Sequence, residues 1–532
     1  MSVTNPKLEI DLLRRDAYGQ LAPKHVALEE THISWVFVLD RDVFKVKKPV
    51  DFGFLDFSTI DKRKAACDAE VRLNARLAPH VYRGVVAVRC GEDGCAEIGG
   101  AGEIVDWAVH MVRLPNDRRA DQLLAHDDLS GEDIDLIAAR IAAFHEDARA
   151  DEETAAFGKI NAIRKNLEEN FAQARDALDA YVSPENAEEI VRWQTAFVRG
   201  HENIFEQRAR AGHVRDGHGD LKLEHLYLDA PTPTIIDCIE FNDRFRYADV
   251  CADIAFLSMD LAAKGRVDLA ERLLAHYARV SNDFDLYALV DFYESYRAFV
   301  RGKISAMLAN NEAVSWEARA HAAADARHYF LLALAADRRS VILPSVVAVG
   351  GIIASGKSTI AEHIGAEMSA PVIDADRTRK AMIGAQAEQP IHDGAWQGAY
   401  DPAFSDRVYA EVLRRAGVVL ASGRPVVLDA SFRSAEMRRA ARDLAIAHNV
   451  PFRFVECRAD REVCRERLTL RARTRSVSDG RLEIFDAFCA RFQPISELPS
   501  PEHIVIDTSR PLEQNRQMLR SLLETWPRGF VT

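Results

Sequence analysis

Fourteen residues, VVAVGGIIASGKST at 346–359, constrain this chain more than any other stretch. An apolar, β-branched run leads into Gly351, four residues, Gly356, Lys357 and Ser358, the spacing GxxxxGK[ST] of a phosphate-binding loop. The constraint is steric and electrostatic together. Glycines let consecutive backbone N–H groups and a helix N-terminus converge on one anion where side chains would block the approach. Ala354, Ser355, Gly356 and Thr359 complete the cradle, Lys357 is placed to meet β- and γ-phosphates, and the Ser358 hydroxyl to reach Mg²⁺. Such a loop joins a strand to a helix, so 345–532 is expected to be a parallel sheet with helices on both faces, an α/β domain.

The segments that follow suit a kinase. PVIDADRTRK puts Asp374 and Asp376 at the end of a second strand, and RPVVLDASF puts Asp429 at the end of a third. Strand ends of a parallel sheet face the ligand crevice. Asp376 is the candidate to deprotonate an acceptor hydroxyl and Asp429 to hold Mg²⁺, with simple helix capping the alternative for both. RERLTLRARTRSVSDG gathers Arg467, Arg471, Arg473 and Arg475 before a Ser-Asp turn, either as a lid over transferring phosphates or as a solvated helix face.

A second constellation lies upstream. RDGHGDLKLEHLYLD contains His218, Gly219 and Asp220, and IIDCIEFNDRFRYADVCADIAFL follows with Asp237 near its start. One Asp in a loop and another after a short strand are the spacing of a catalytic base and a Mg²⁺ ligand. FKVKK in a Val- and Phe-rich strand pair at 31–48 offers Lys45, Lys47 and Lys48 as the phosphate lysine. Lys47 is favoured, with Glu70 of a helix at 59–78 as its partner. Helical patterns dominate from 130 to 340, and a domain boundary is expected near 336–345, where charges and Pro344 end a helix.

These motifs carry two resemblances. Residues 345–530 resemble the P-loop kinases that group with zeta toxins, gluconate kinases and polynucleotide kinases. By that resemblance Asp376 faces the acceptor, Arg471 or Arg475 covers ATP, and IVIDTSRPLEQ at 504–514 passes near the adenine. Residues 30–330 resemble aminoglycoside phosphotransferases and choline-kinase-like proteins, which implies an α+β, protein-kinase-like fold. Its small lobe would be 1–105, its large lobe 106–340 and its hinge DWAVHMVRLP at 106–115, with Asp249 and Asp253 in a structural acidic motif. Where that family has a metal-binding Asn, this chain has His225, a softer metal ligand than Mg²⁺ prefers, so the metal at Asp237 and His225 would be held mainly by Asp237, with Glu240 or Asn242 assisting, or the domain would bind nucleotide only. The whole is similar to bacterial fusions described as bifunctional aminoglycoside phosphotransferase and ATP-binding proteins.

The function implied is ATP-dependent transfer to a small-molecule hydroxyl, with Mg²⁺ as cofactor and a second transfer by the first domain. A ligand-sensing pseudokinase that gates the P-loop domain is one alternative, and a polynucleotide 5′-hydroxyl kinase another. Charge argues against nucleic acid: 43 basic and 58 acidic residues precede position 341, and 26 and 24 follow. The 532 residues contain no apolar run of membrane-spanning length, and charged residues near the N-terminus take the place of a signal peptide's apolar core, so a cytoplasmic enzyme is expected. Eight scattered cysteines without a CxxC pair read as reduced thiols. The sequence leaves the acceptor and the oligomeric state open.

Overall fold

The computed structural model describes residues 7–522 apart from positions 32, 54, 92, 313–314, 335–341, 392 and 474–475. Two packing units emerge, Met1–Glu169 with Val198–Asp260, and Asn170–Phe197 with Leu261–Thr532. They do not follow the motif-based division at 340, and that expected boundary lies largely outside the described residues.

Six strands, β1 (Ala27–Glu30), β2 (Ser34–Val38), β3 (Asp42–Lys47), β4 (Tyr82–Cys90), β5 (Ala96–Ile98) and β6 (Glu103–Val112), form the antiparallel sheet of the first unit. Their order is β1-β2-β3-β6-β4-β5. Alternation along β3 sends Phe44 and Val46 into a core with Phe37, Val88 and Ala108, and Lys45 and Lys47 to the opposite face. On that face the helix Ile60–Asn74 packs Cys67 against Val81, Val109 and Met111; its first turn is capped by Thr59, which accepts from the Lys62 N–H at 3.3 Å. Residues 106–112, expected as a hinge, instead belong to β6, because their alternating apolar side chains fill the sheet's two faces; only 113–115 lie beyond it. The loop region holds β7 (Val214–Asp216), β8 (Leu226–Tyr227), β9 (Thr234–Ile235) and β10 (Tyr247–Asp249), with β7 paired to β10 and β8 to β9.

The second unit contains the parallel sheet β11 (Val346–Gly350), β12 (Val372–Asp374), β13 (Val426–Asp429), β14 (Phe452–Arg458) and β15 (His503–Asp507) in the order β12-β13-β11-β14-β15. Every residue of β11 and β13 is buried, as befits a sheet covered on both faces. Val347 and Val349 pack with Ile360, Ile364 and Met368 on one side, while Gly350 lies against Phe432 and Phe454 on the other. Register sets both Val349 and Asp374 opposite Asp429, so two carboxylates end side by side at the C-terminal edge.

The helices Val267–Ser281, Val290–Ala309 and Trp316–Leu332 belong to this same unit. Arg424 ties two of them down, with Nε 2.7 Å from Glu271 and Nη2 2.9 Å from Asp291. Arg415 donates to the side chain of Asn282 at 2.7 Å. Such buried pairs add little net stability when intact and are costly to break.

Candidate active sites

In the P-loop site, Gly351 adopts φ 145° and Gly356 φ 84°. A Cβ at Gly351 would stand 2.4 Å from the Cys457 carbonyl and 2.7 Å from Ser355 Oγ, so only glycine fits there. Gly356 heads the helix Lys357–Met368, whose first N–H groups therefore open onto the loop. The loop is braced from behind: Arg467 donates to the carbonyls of Ala354 (3.2 Å) and Thr508 (2.7 Å), and Thr508 Oγ1 donates to the Ser355 carbonyl at 2.7 Å. Ser355 Oγ is buried without a partner. Lys357 Nζ donates to its own loop at Ile352 O, 2.9 Å away.

Lys357, Ser358, Thr359, Asp374, Asp376 and Asp429 line one cavity with the loop. Burial, then Asp429 and Asp376, push the Asp374 carboxyl up to about 7. Burial also raises Asp429, with Lys357 and the Ser358 hydroxyl acting against it. Asp374 spends one oxygen capping the next helix, accepting from the Arg377 N–H at 2.7 Å, while Asp376, two residues on in the first turn of that helix, also lines the cavity. Among the described residues no group of three or more His, Cys, Asp or Glu forms a protein-only metal cage. A hydroxyl and a hard carboxylate beside a phosphate cradle do fit Mg²⁺, which keeps water and phosphate oxygens as its other ligands.

The arginine segment divides by role. Arg467 braces the loop, Arg471 lines the cavity, Arg473 does not, and Arg475 lies outside the described residues. The 504–514 segment meets the phosphate loop through Thr508. The sequence reading missed Arg379, Tyr400, Arg433 and Phe488 in the cavity wall. Only Arg379 had a signal, one helical turn after Asp376. Asp479, read merely as part of a turn, anchors the lid side: it pairs with buried Lys380 at 3.3 Å and accepts from Tyr400 at 2.8 Å.

In the kinase-like site, Lys47 Nζ reaches Glu70 at 2.6 Å and also bonds Glu240. Lys45 lies 3.0 Å from Glu70 and 2.6 Å from Asp237. The Lys47 side chain is fully buried, Lys45 keeps a slight exposure, and Lys48 pairs with Glu30. Against the desolvation of the cleft, Lys45 and His225 hold the Asp237 carboxyl well below the usual range. Asp237 occupies left-handed backbone, φ 65°, with its N–H donating to the Tyr82 hydroxyl. His225 sets Nε2 3.5 Å from Asp237 and Nδ1 2.8 Å from the Asp220 carbonyl. Lys222 stands 3.2 Å from the Asp220 carboxylate. Asn242 caps a short helix, accepting from the Arg244 N–H at 3.1 Å.

Asp253 shapes the catalytic loop, accepting from the His218 and Gly219 N–H groups at 2.6 and 2.8 Å. Asp249 is clamped by Arg208 at 2.7 and 2.8 Å. Burial pushes the His218 imidazole down to about 4, so it is neutral, with Nε2 2.9 Å from the Ile236 carbonyl.

Residues 346–495 match the AAA domain family AAA_33. Over 482 residues the chain is 33% identical to an uncharacterized protein of Mycobacterium tuberculosis, Rv2004c, covering 90% of this chain and 92% of that one. An uncharacterized protein of Mycobacterium bovis matches with the same figures. Among solved structures, choline kinase from Cryptosporidium parvum aligns with 61% of this chain and 94% of its own at 12% identity and a TM-score of 0.38. The M. tuberculosis APS kinase CysC, in complex with AMPPNP and APS, aligns with 34% of this chain and 99% of its own at 22% identity and a TM-score of 0.25.

Proposed function

The chain belongs to the same family as those mycobacterial proteins, and we propose that its P-loop domain transfers the γ-phosphoryl group of ATP to a hydroxyl of a small molecule. The observation that carries this is the shared cavity, lined by Lys357, Ser358 and Asp429 together with Asp376. The acceptor oxygen attacks the γ-phosphorus, the bond from that phosphorus to the β,γ-bridging oxygen breaks, and ADP leaves with the bridging oxygen. Asp376 takes the hydroxyl proton, Lys357 and the loop N–H groups hold the phosphates, and Arg471 stabilises the equatorial oxygens. Ser358 and Asp429 would hold Mg²⁺, which supplies charge neutralisation between the β- and γ-phosphates. The reaction belongs in the cytoplasm, where ATP is abundant; no described helix is long and apolar enough to cross a membrane. Asp376→Asn should lower acceptor-dependent turnover at least about a hundredfold and leave AMP-PNP affinity within a few-fold. Unchanged turnover in that variant would remove Asp376 as the base.

We further propose a second transfer at the kinase-like site, with Asp220 as base, Lys45 on the phosphates, Glu70 orienting Lys45, and Asp237 with His225 toward the metal. The proximity of His225 to both Asp220 and Asp237 supports it. The rival, a ligand sensor without chemistry, is favoured by the saturation of both lysines with carboxylates. A product lost in Asp220→Asn and retained in Lys357→Ala excludes the sensor.

A further inference from the structure

We propose that the acceptor at the P-loop site is a small hydroxylated molecule carrying an oxyanion, a carboxylate or a phosphate, and that Arg379 and Arg433 receive that anion. This rests on the transfer reading above and names the class of its substrate.

Beyond Asp376 the cavity wall is built from Arg379, Tyr400, Tyr409, Arg433 and Phe488. Arg379 is only 5% exposed, yet its Nε has no partner. The contacts it makes are uncharged: the Ala399 carbonyl, the Ser405 hydroxyl at 3.3 Å, and the ring of Tyr400 at 4.6 Å. Arg433 lies 4.7 Å over the face of Trp396, which itself stacks on Phe488. Among the described residues neither guanidinium is ion-paired with a carboxylate. Burial, together with the like charges of Arg379 and Arg491, pushes Arg433 down from its ordinary value.

Apart from Asp376, assigned above to the acceptor hydroxyl, the carboxylates of the same cavity are otherwise engaged. Asp479 serves Lys380, Tyr400 and the Ile391 N–H. Asp429 serves Lys357 and Ser358, and Asp374 caps its helix. A buried Arg379 and a partly buried Arg433, the latter with Asp406 acting on it from a distance, thus line the cavity without an ion pair to a carboxylate among the described residues, an arrangement that a ligand anion relieves. Guanidinium groups favour carboxylate and phosphate because both can be met by two parallel N–H donors. Aromatic walls at Tyr400 and Phe488 then confine the carbon skeleton, with its hydroxyl toward Asp376.

The test uses the full chain and matched triads: glycerol, glycerate and glycerol 3-phosphate; glucose, gluconate and glucose 6-phosphate. With Mg²⁺ and AMP-PNP saturating, calorimetry should show an anionic member of at least one triad binding tenfold or more tighter than its neutral partner. Which anion wins separates carboxylate from phosphate. Arg433→Gln should shrink that preference at least tenfold, and Arg379→Lys should retain more of it than Arg379→Gln. Normal AMP-PNP binding with equal affinity, or none, for neutral and anionic members in every triad overturns the proposal, and this arm needs no variant. A preference untouched by either arginine variant overturns the residue assignment. Failure of AMP-PNP to bind, or its undiminished binding by Lys357→Ala, sinks the transfer reading itself.

Discussion

The two constellations handle charge in opposite ways. In the P-loop site Lys357 donates to a carbonyl of its own loop and has Asp429 nearby, and the loop's shape is fixed by glycines and by braces from Arg467 and Thr508. The kinase-like site instead gathers Lys45 and Lys47 among Glu70, Asp237 and Glu240, so each lysine already has two carboxylates. A phosphate entering the first exchanges one neutral hydrogen bond. In the second it must break ion pairs or bring a metal to Asp237. Preorganised donors act without rearrangement when charge develops, so the first site is the stronger candidate for fast chemistry.

The comparison breaks most plainly at Lys357. Lys357→Ala should reduce turnover at the P-loop site about a thousandfold, the upper range for losing one preorganised donor to a developing charge. ATP turnover and AMP-PNP titration read this, and wild-type rates would undo the contrast. Next comes Arg424→Ala, which strands Glu271 and Asp291 and should destabilise the second unit by about 3 kcal/mol in urea unfolding. A change below about 0.5 kcal/mol would mean that the helices from 267 to 332 are not held to the sheet through this residue.

A smaller effect concerns the first unit. His218 is held neutral by burial, with its value lowered to about 4. Its contribution is fully present above the unfolded value near 6.5 and is lost as pH falls from there through about 4. Between pH 6.5 and 5 the loss is about 2 kcal/mol. His218→Gln should flatten that slope in hydrogen exchange of the catalytic loop, and an unchanged slope assigns it elsewhere. The smallest effect is expected from His225→Asn, where a hard oxygen replaces imidazole beside Asp237. Mg²⁺-dependent nucleotide affinity at the kinase-like site should rise about tenfold. A fall would make imidazole the better donor at that position.

Legibility in the sequence followed the range of the interactions. The phosphate loop, its helix and the strand-end Asp374 and Asp429 were readable because glycine spacing and an apolar strand are local, whereas Asp376, expected at the strand end, lies in the first turn of the next helix. The lysine register was not: a strand of period two puts Lys45 and Lys47 on one face, and only burial separates them. Arg467 and Arg471 share a helix face, yet one reaches the loop's carbonyls and the other the cavity. Arg379, Tyr400 and Arg433 come from three distant segments, and no spacing rule joins them. The grouping of the 267–332 helices with the sheet depends on Arg415 and Arg424, contacts more than 130 residues apart in the chain.

The most direct test is γ-phosphoryl transfer from labelled ATP to a metabolite panel by wild type, Lys357→Ala and Asp220→Asn side by side. The account predicts a labelled product that disappears in Lys357→Ala and persists in Asp220→Asn, with any second product showing the reverse pattern. A single product that survives Lys357→Ala would contradict the assignment of chemistry to the P-loop site.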